Sequence, residues 1–253
     1  MLFDTHCHLD LLPEPEEIAE HLAMARRAGV ARFMLPGVSQ CRWQGLLALA
    51  DGNESLFFGL GVHPAFVDEH TQYDTALFEQ WVSHPRVVAV GEIGLDRVLP
   101  HWDVQVRLFE HQLALAAAFE LPVIVHHRKS HDQILRYLKP HPALSGVIHA
   151  FSGSEQQAAA YVEKGFMLGV GGTITYERAR KTRDALAQMP LSSLVLETDA
   201  PDMPLAGFQG QVNTPARLPL VLDALVSIRG ESREEIEAAL WRNSLRLFNL
   251  SGL

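Results

Sequence analysis

Residues 122–128 read Pro-Val-Ile-Val-His-His-Arg. An apolar run with no alternation marks a strand covered on both faces, as the strands of a parallel sheet are. The imidazoles at its carboxyl end then need partners, because an unpaired buried polar group costs about 1–3 kcal/mol. Working outward, the same form recurs: LFDTH (2–6), ARFMLPG (31–37), LFFGLGVH (56–63), VVAVGE (87–92), GVIHA (146–150), FMLGVG (166–171) and LVLETD (194–199). Between these runs lie helical patterns. Residues 14–29 end in Arg26, Arg27 and the stop Gly29, and 101–120 carry apolar residues at spacings of three and four. Residues 154–165 open on Ser154 as a cap, 213–230 open on Thr214-Pro215, and 231–249 form a last helix outside the barrel. Eight strand–helix units in 253 residues predict a single (β/α)8 TIM barrel spanning residues 1–253, in the α/β class. An open doubly wound sheet is the alternative, weakened because no G-x-G-x-x-G follows the first strand.

In such a barrel the chemistry lies at the carboxyl ends of the strands. Those ends carry His6 and His8, His63, Glu92, His126, His149 and Asp199. Side chains two apart on a strand share a face, so His6 and His8 point together and Cys7 points away as a small core residue. Alternation from Ile124 turns His126 inward rather than His127. Histidines and carboxylates suit Zn²⁺, Mn²⁺, Co²⁺ or Fe²⁺, with Mg²⁺ a weaker match. His6, His8, His126 and His149 with Glu92 and Asp199 exceed the needs of one tetrahedral ion. The set therefore predicts two divalent metal ions about 3.5–4 Å apart, bridged by Glu92 from the middle of the strand order.

Composition bounds the rest. Apolar residues are 47% and charged residues 20%, so a full core forms without disulfides. The net charge of −9 argues against broad binding of duplex DNA, which relies on Lys and Arg. Two cysteines, no leader-like start and no run of about 18 apolar residues lead us to expect a cytoplasmic protein with no membrane partner. A monomer without an obligate protein partner is expected.

The stretches DTHCHLD (4–10), GEIGLD (91–96), PVIVHHR (122–128), HAFSGS (149–154) and ETDAP (197–201), in this order, resemble the TatD-type metal-dependent hydrolases of the amidohydrolase-like barrel superfamily. The resemblance runs from Phe3 to about Phe248 and takes in GGTITY (171–176) and RNSLRLF (242–248). It implies a metal-dependent deoxyribonuclease, in several members a 3′→5′ exonuclease. It implies His6, His8 and Asp199 on one ion, His126 and His149 on the other, Glu92 bridging, and His63 and Arg128 near the substrate. Two departures stand out: His127 where serine is common, and a loop from Asp202 with no Lys or Arg before Arg217.

The leading expectation is hydrolysis of a phosphodiester, as in a nucleic-acid end, by a water that the ions activate, with Asp199 as general base and Glu92 holding the ions. Arg128 or His63 would stabilise the charge that grows on the phosphoryl oxygens. The same centre could cleave a small amide, ester or lactone, which the non-basic loop favours. A non-catalytic, metal-stabilised scaffold is the third reading, disfavoured by so many ligands at one face. Gly169, Gly171 and Gly172 serve tight turning or close approach of substrate. Trp102 packs on a neighbouring loop or stacks on a base. The loops 64–75, 94–103 and 200–213 are expected to shape specificity.

Overall fold

Eight parallel strands follow one another around a sheet in sequence order: β1 (Leu2–Asp4), β2 (Val30–Pro36), β3 (Leu56–Gly59), β4 (Val87–Asp96), β5 (Val123–Arg128), β6 (Gly146–Ile148), β7 (Phe166–Val170) and β8 (Leu194–Leu196). The computed structural model describes residues 1–12, 14–50, 52–69 and 73–250. Residues 70–72, part of the loop 64–75 expected to shape specificity, lie outside the described residues. The sheet closes where β1 meets β8: Thr5 N–H donates to Leu196 O (2.9 Å) and Asp199 N–H to His6 O (2.9 Å). The Asp4 carboxylate reinforces this seam, accepting from Thr198 N (3.0 Å) and Thr198 Oγ1 (2.6 Å). The architecture is the (β/α)8 barrel.

Helices α1 (Pro15–Arg27), α2 (Trp43–Ala48), α3 (Thr75–Val82), α4 (Trp102–Ala118), α5 (His131–Leu138), α6 (Glu155–Val162), α7 (Arg180–Gln188), α8 (Leu218–Val226) and α9 (Arg233–Leu247) complete the chain. Ser154 caps α6 through a reciprocal pair with Gln157, and Ser232 caps α9 through one with Glu235. The segment opening at Thr214 differs from expectation. A short 3₁₀ turn, Pro215–Arg217, comes first, and α8 begins only at Leu218. Pro219 has no N–H and tolerates only a first turn, so the helix restarts around it.

The barrel interior is filled at its amino-terminal end. Phe3, Met34, Phe57, Ala89, Ile124, Val147, Met167 and Val195, one residue from each strand, form a buried cluster. Leu247, Phe248 and Leu250, at and beyond the end of α9, close it from below. Two residues further along the inner face of β5, β6 and β8, Ile124, Val147 and Val195 give way to His126, His149 and Glu197. No described helix is long and apolar enough to cross a membrane.

Candidate active site

Glu92 sits at the centre of the carboxyl-terminal mouth. Its position depends on an irregularity in β4. Val90 pairs with Val123 and Ile93 with Val125, so three residues of β4 span two of β5. The extra residue is a bulge, and it re-aims the strand. Ile93 packs into the outer core, while Glu92 turns into the barrel mouth.

The two oxygens of Glu92 face different histidines. Oε2 lies 3.3 Å from both His6 Nε2 and His8 Nε2. Oε1 lies 3.2 Å from His126 Nδ1 and 3.6 Å from His63 Nε2. Asp199 Oδ1 is 3.6 Å from the Nε2 atoms of both His6 and His8 and 3.7 Å from that of His149. Three sets of donor atoms are close enough to share a cation: His6 with His8 and Glu92, His63 with Glu92 and His126, and His6 with His149 and Asp199. All six expected ligands therefore converge. The grouping differs from the implied one, since His63 stands beside His126 and His149 stacks on His6, with ring centroids 3.5 Å apart. Glu92 lies inside strand β4 and His126 inside β5, whereas His6, His8, His63, His149 and Asp199 follow the ends of their strands. Arg128 extends from the end of β5 into the cavity, 60% exposed.

Carboxylates stand behind two of the histidine rings. Asp96 Oδ2 lies 3.3 Å from His126 Nε2, which leaves Nδ1 turned to Glu92. Glu197 Oε1 lies 2.8 Å from His149 Nδ1, a charge contact outside hydrogen-bond geometry, and accepts from Ala150 N at 2.6 Å. The hydrogen bond to Asp96 selects one tautomer of His126 and aims its other ring nitrogen. His6 Nδ1 and His8 Nδ1 are buried with no hydrogen-bond partner among the described residues, so nothing on that side selects their tautomer. Asp199 holds φ +60°, a conformation aspartate tolerates, between its own N–H on His6 O and its carbonyl on Asp202 N.

Asp96 and Glu197 escaped the reading of the sequence. A signal existed for each: Asp96 is four residues after Glu92 on one strand, and Glu197 two before Asp199, so each pair shares a face. Gly169 serves neither turning nor substrate approach. A Cβ there would stand 2.2 Å from Glu197 Oε2, so the missing side chain makes room for that carboxylate. His127 lines the cavity wall and packs beside His131, centroids 4.3 Å apart, near Phe151. Trp102 packs against the core and carries the Arg97 guanidinium on its ring.

The electrostatics follow from crowding. Burial opposes charge on Glu92, yet the imidazoles of His63, His6 and His149 hold its carboxyl well below the usual range. Burial and neighbouring imidazoles push His63 down to about 3, against the pull of Glu92. Burial works against a charge on His149 too, but Glu197, Asp199 and Glu92 raise it to about 10. The cluster thus draws positive charge inward. His6 Nε2 and His8 Nε2 approach to 3.0 Å beside a carboxylate oxygen. Two nitrogens at that distance repel unless a proton or cation lies between them, and this donor set of imidazoles and carboxylates fits divalent transition metals. The cavity above the cluster has a volume of about 550 Å³, within the range of ligand sites.

Comparison with known proteins places the chain in a family. The profile of a family described as TatD related DNase matches residues 3–249. The chain is 44% identical to an uncharacterised metal-dependent hydrolase of Escherichia coli, YjjV, over 98% of this chain and 97% of that one. It is 31% identical to the 3′-5′ ssDNA/RNA exonuclease TatD of Erwinia tasmaniensis, over 98% of this chain and all of the relative. The crystal structure of the Escherichia coli YjjV protein, a TatD homologue, superposes with a TM-score of 0.94 at 44% identity, covering 98% of each chain. A hydrolase of the TatD family from Entamoeba histolytica, at 20% identity, shares the fold with a TM-score of 0.87. The chain belongs to the TatD-related DNase family, a family of hydrolases.

Proposed function

We propose that the protein hydrolyses the phosphodiester bond at an end of a nucleic acid strand, using a centre of two divalent cations bridged by Glu92. The observation that carries this reading is the division of Glu92: Oε2 faces His6 and His8 at 3.3 Å, while Oε1 faces His126 at 3.2 Å and His63 at 3.6 Å. His6, His8 and Asp199 would hold one ion and His126 the other, with His63 beside His126 as a ligand rather than a substrate contact. His149 would lie between the two groups, on Asp199. When bound, the cations supply Lewis acidity and lower the pKa of water.

The chain's own groups do the rest. Asp199, partly exposed to the cavity, accepts the proton of the attacking water at its carboxylate. Arg128, two residues beyond His126 on the same face, meets a phosphoryl oxygen and offsets its growing charge. Relatives named as exonucleases that act on single strands favour a strand end as substrate, with 3′→5′ polarity. The converging residues come from one chain, so the centre needs no second copy, and we take the monomer as the working unit. Cys7 and Cys41 are both free, which fits a reducing cytoplasm.

The test is to strip the protein with a chelator and reload it with Mn²⁺, Zn²⁺ or Mg²⁺. Each form is assayed on bis(p-nitrophenyl) phosphate, on 3′-labelled single-stranded DNA and on a p-nitrophenyl ester and a lactone. The expected result is metal-restored cleavage of the diesters, with loss of label from the 3′ end. Faster turnover of the ester or lactone than of either diester would overturn the assignment.

A further inference from the structure

The mouth of the barrel is electrically lopsided. On the β8 side, the exposed Asp202 lines the cavity, and no Lys or Arg precedes Arg217 in that loop. On the β4–β5 side, Arg97, Arg128 and Lys129 stand together on one lip. Their backbone is pinned: Arg97 N–H donates to Arg128 O (3.0 Å), Arg128 N–H to Ser130 Oγ (3.2 Å), and Ser130 Oγ to Leu95 O (2.6 Å). The turn holds Lys129 at φ +54° and projects it as an exposed residue.

Arg97 is exposed yet not free to wander. Its guanidinium lies 4.3 Å from the ring centroid of the half-buried Trp102, and its Nε donates to Gln133 Oε1 at 3.4 Å. Its Nη groups make no hydrogen bond among the described residues, and neither does the ammonium of Lys129. A guanidinium held flat on an indole, with its remaining donors turned outward, is a preformed site for a phosphate, and its open face offers a stacking surface. Acidic residues are near: Asp96 is buried beneath, 3.3 Å from His126 Nε2 and at the 4.0 Å edge of an ion pair with Arg128 Nη1, while Asp103 and Asp132 lie in the first turns of α4 and α5. Those two carboxylates favour the helix amino termini they occupy, which leaves Arg97 and Lys129 facing out, with Arg128 only loosely held by Asp96.

Resting on the phosphodiester reading above, we propose that the β4–β5 lip, with Arg97 stacked on Trp102 and Lys129 beside it, binds the backbone of the single strand that adjoins the bond held at the Glu92 cluster. Arg128 meets the phosphate at the centre, and Arg97 and Lys129 meet the next ones outward. The strand leaves the barrel over β4 and β5, away from the carboxylate of Asp202. An acidic protein thereby handles a polyanion by a local strip of cations rather than by its overall charge.

The experiment compares the metal-loaded wild type with the R97Q/K129Q double variant on octathymidylate and dithymidylate, with bis(p-nitrophenyl) phosphate as a third substrate. In the double variant the ratio of octamer to dimer kcat/KM falls about tenfold, mainly through KM. Two lost phosphate contacts also make the dependence of log(kcat/KM) on log salt shallower by about 1.4 for the octamer. The K139Q/K164Q double variant, just past the ends of α5 and α6, removes the same number of charges and leaves ratio and slope in place. Arg97→Lys restores much of the slope but not the octamer preference, since it keeps the charge and loses the stack. A double variant with the wild-type ratio and slope overturns the lip as a strand site while sparing the phosphodiester reading. A wild type that cleaves the small diester and neither oligonucleotide also overturns it. A wild type that cleaves none of the three overturns the phosphodiester reading as well.

Discussion

The two ends of the barrel are made by the same strands and obey opposite rules. At the amino-terminal end, Phe3, Ile124, Val147 and Val195 meet Phe248 in a dry cluster that α9 closes. Two residues further along the same inner face come His126, His149 and Glu197, where imidazoles and carboxylates crowd together and burial works against a charge on His149. The first end gains from every contact it makes. The second is held in place by its surroundings and is at its best only with cations among the imidazoles. Substitutions at the two ends should therefore separate stability from chemistry.

The largest effect is expected at Glu92. Glu92→Gln keeps the shape but removes the charge that faces five histidines. We expect kcat/KM on bis(p-nitrophenyl) phosphate to fall on the order of 10³-fold. Metal content by elemental analysis should fall below that of the wild type. Full metal content in Glu92→Gln would break the assignment of Glu92 as the bridge. At the other end, Phe248→Ala should cost about 3–5 kcal/mol in denaturant unfolding. Its folded fraction should still bind metal with wild-type stoichiometry. A loss of metal there would mean that the plug and the mouth are one unit.

Next come the carboxylates behind the rings. Asp96→Asn and Glu197→Gln weaken the aim of His126 and His149 without removing a proposed ligand. Each should lower metal affinity by about 10- to 100-fold, read by competition with a chromophoric chelator. Gly169→Ala should act on the same link from the other side, because its Cβ would displace Glu197 Oε2. If Gly169→Ala matched the wild type in metal affinity, Glu197 would not be positioning His149.

These cases show what was legible in the chain and what was not. The eight strands could be read because a strand covered on both faces is apolar without interruption, as Val123–Val125 is. Alternation placed His126 inward from Ile124 and Cys7 away from His6 and His8, because both follow from the pleat alone. The inward turn of Glu92 could not be derived that way. From Ala89, alternation would point Glu92 outward, and the bulge against β5 accompanies its inward turn. A bulge belongs to the pairing of two strands, so a single strand does not announce it. The proximity of His63 to His126 and of Asp4 to Thr198 likewise depends on how the barrel closes, across 63 and 194 residues of chain respectively. Stacking of Arg97 on Trp102 depends on how the turn before α4 folds back on β4.

The smallest predicted effect tests the boundary between the two ends. Ile124 belongs to the plug, yet it also touches the bulge: a Cβ on Gly91 would lie 2.6 Å from Ile124 Cβ. Ile124→Val keeps that Cβ and removes one methyl from the cluster. The expected cost is about 0.5–1.5 kcal/mol of stability, with kcat/KM within about twofold of wild type. The branched Cβ, rather than the full side chain, is what fills the space a residue at position 91 would otherwise claim. Ile124→Gly would sharpen the point, because it empties that space and lets the backbone before Glu92 relax. If the valine variant instead lost tenfold or more in activity at this small cost in stability, the aim of Glu92 would depend on the packing of the whole plug. The division between a stabilising end and a chemical end would then fail at β4 and β5, the strands that carry both.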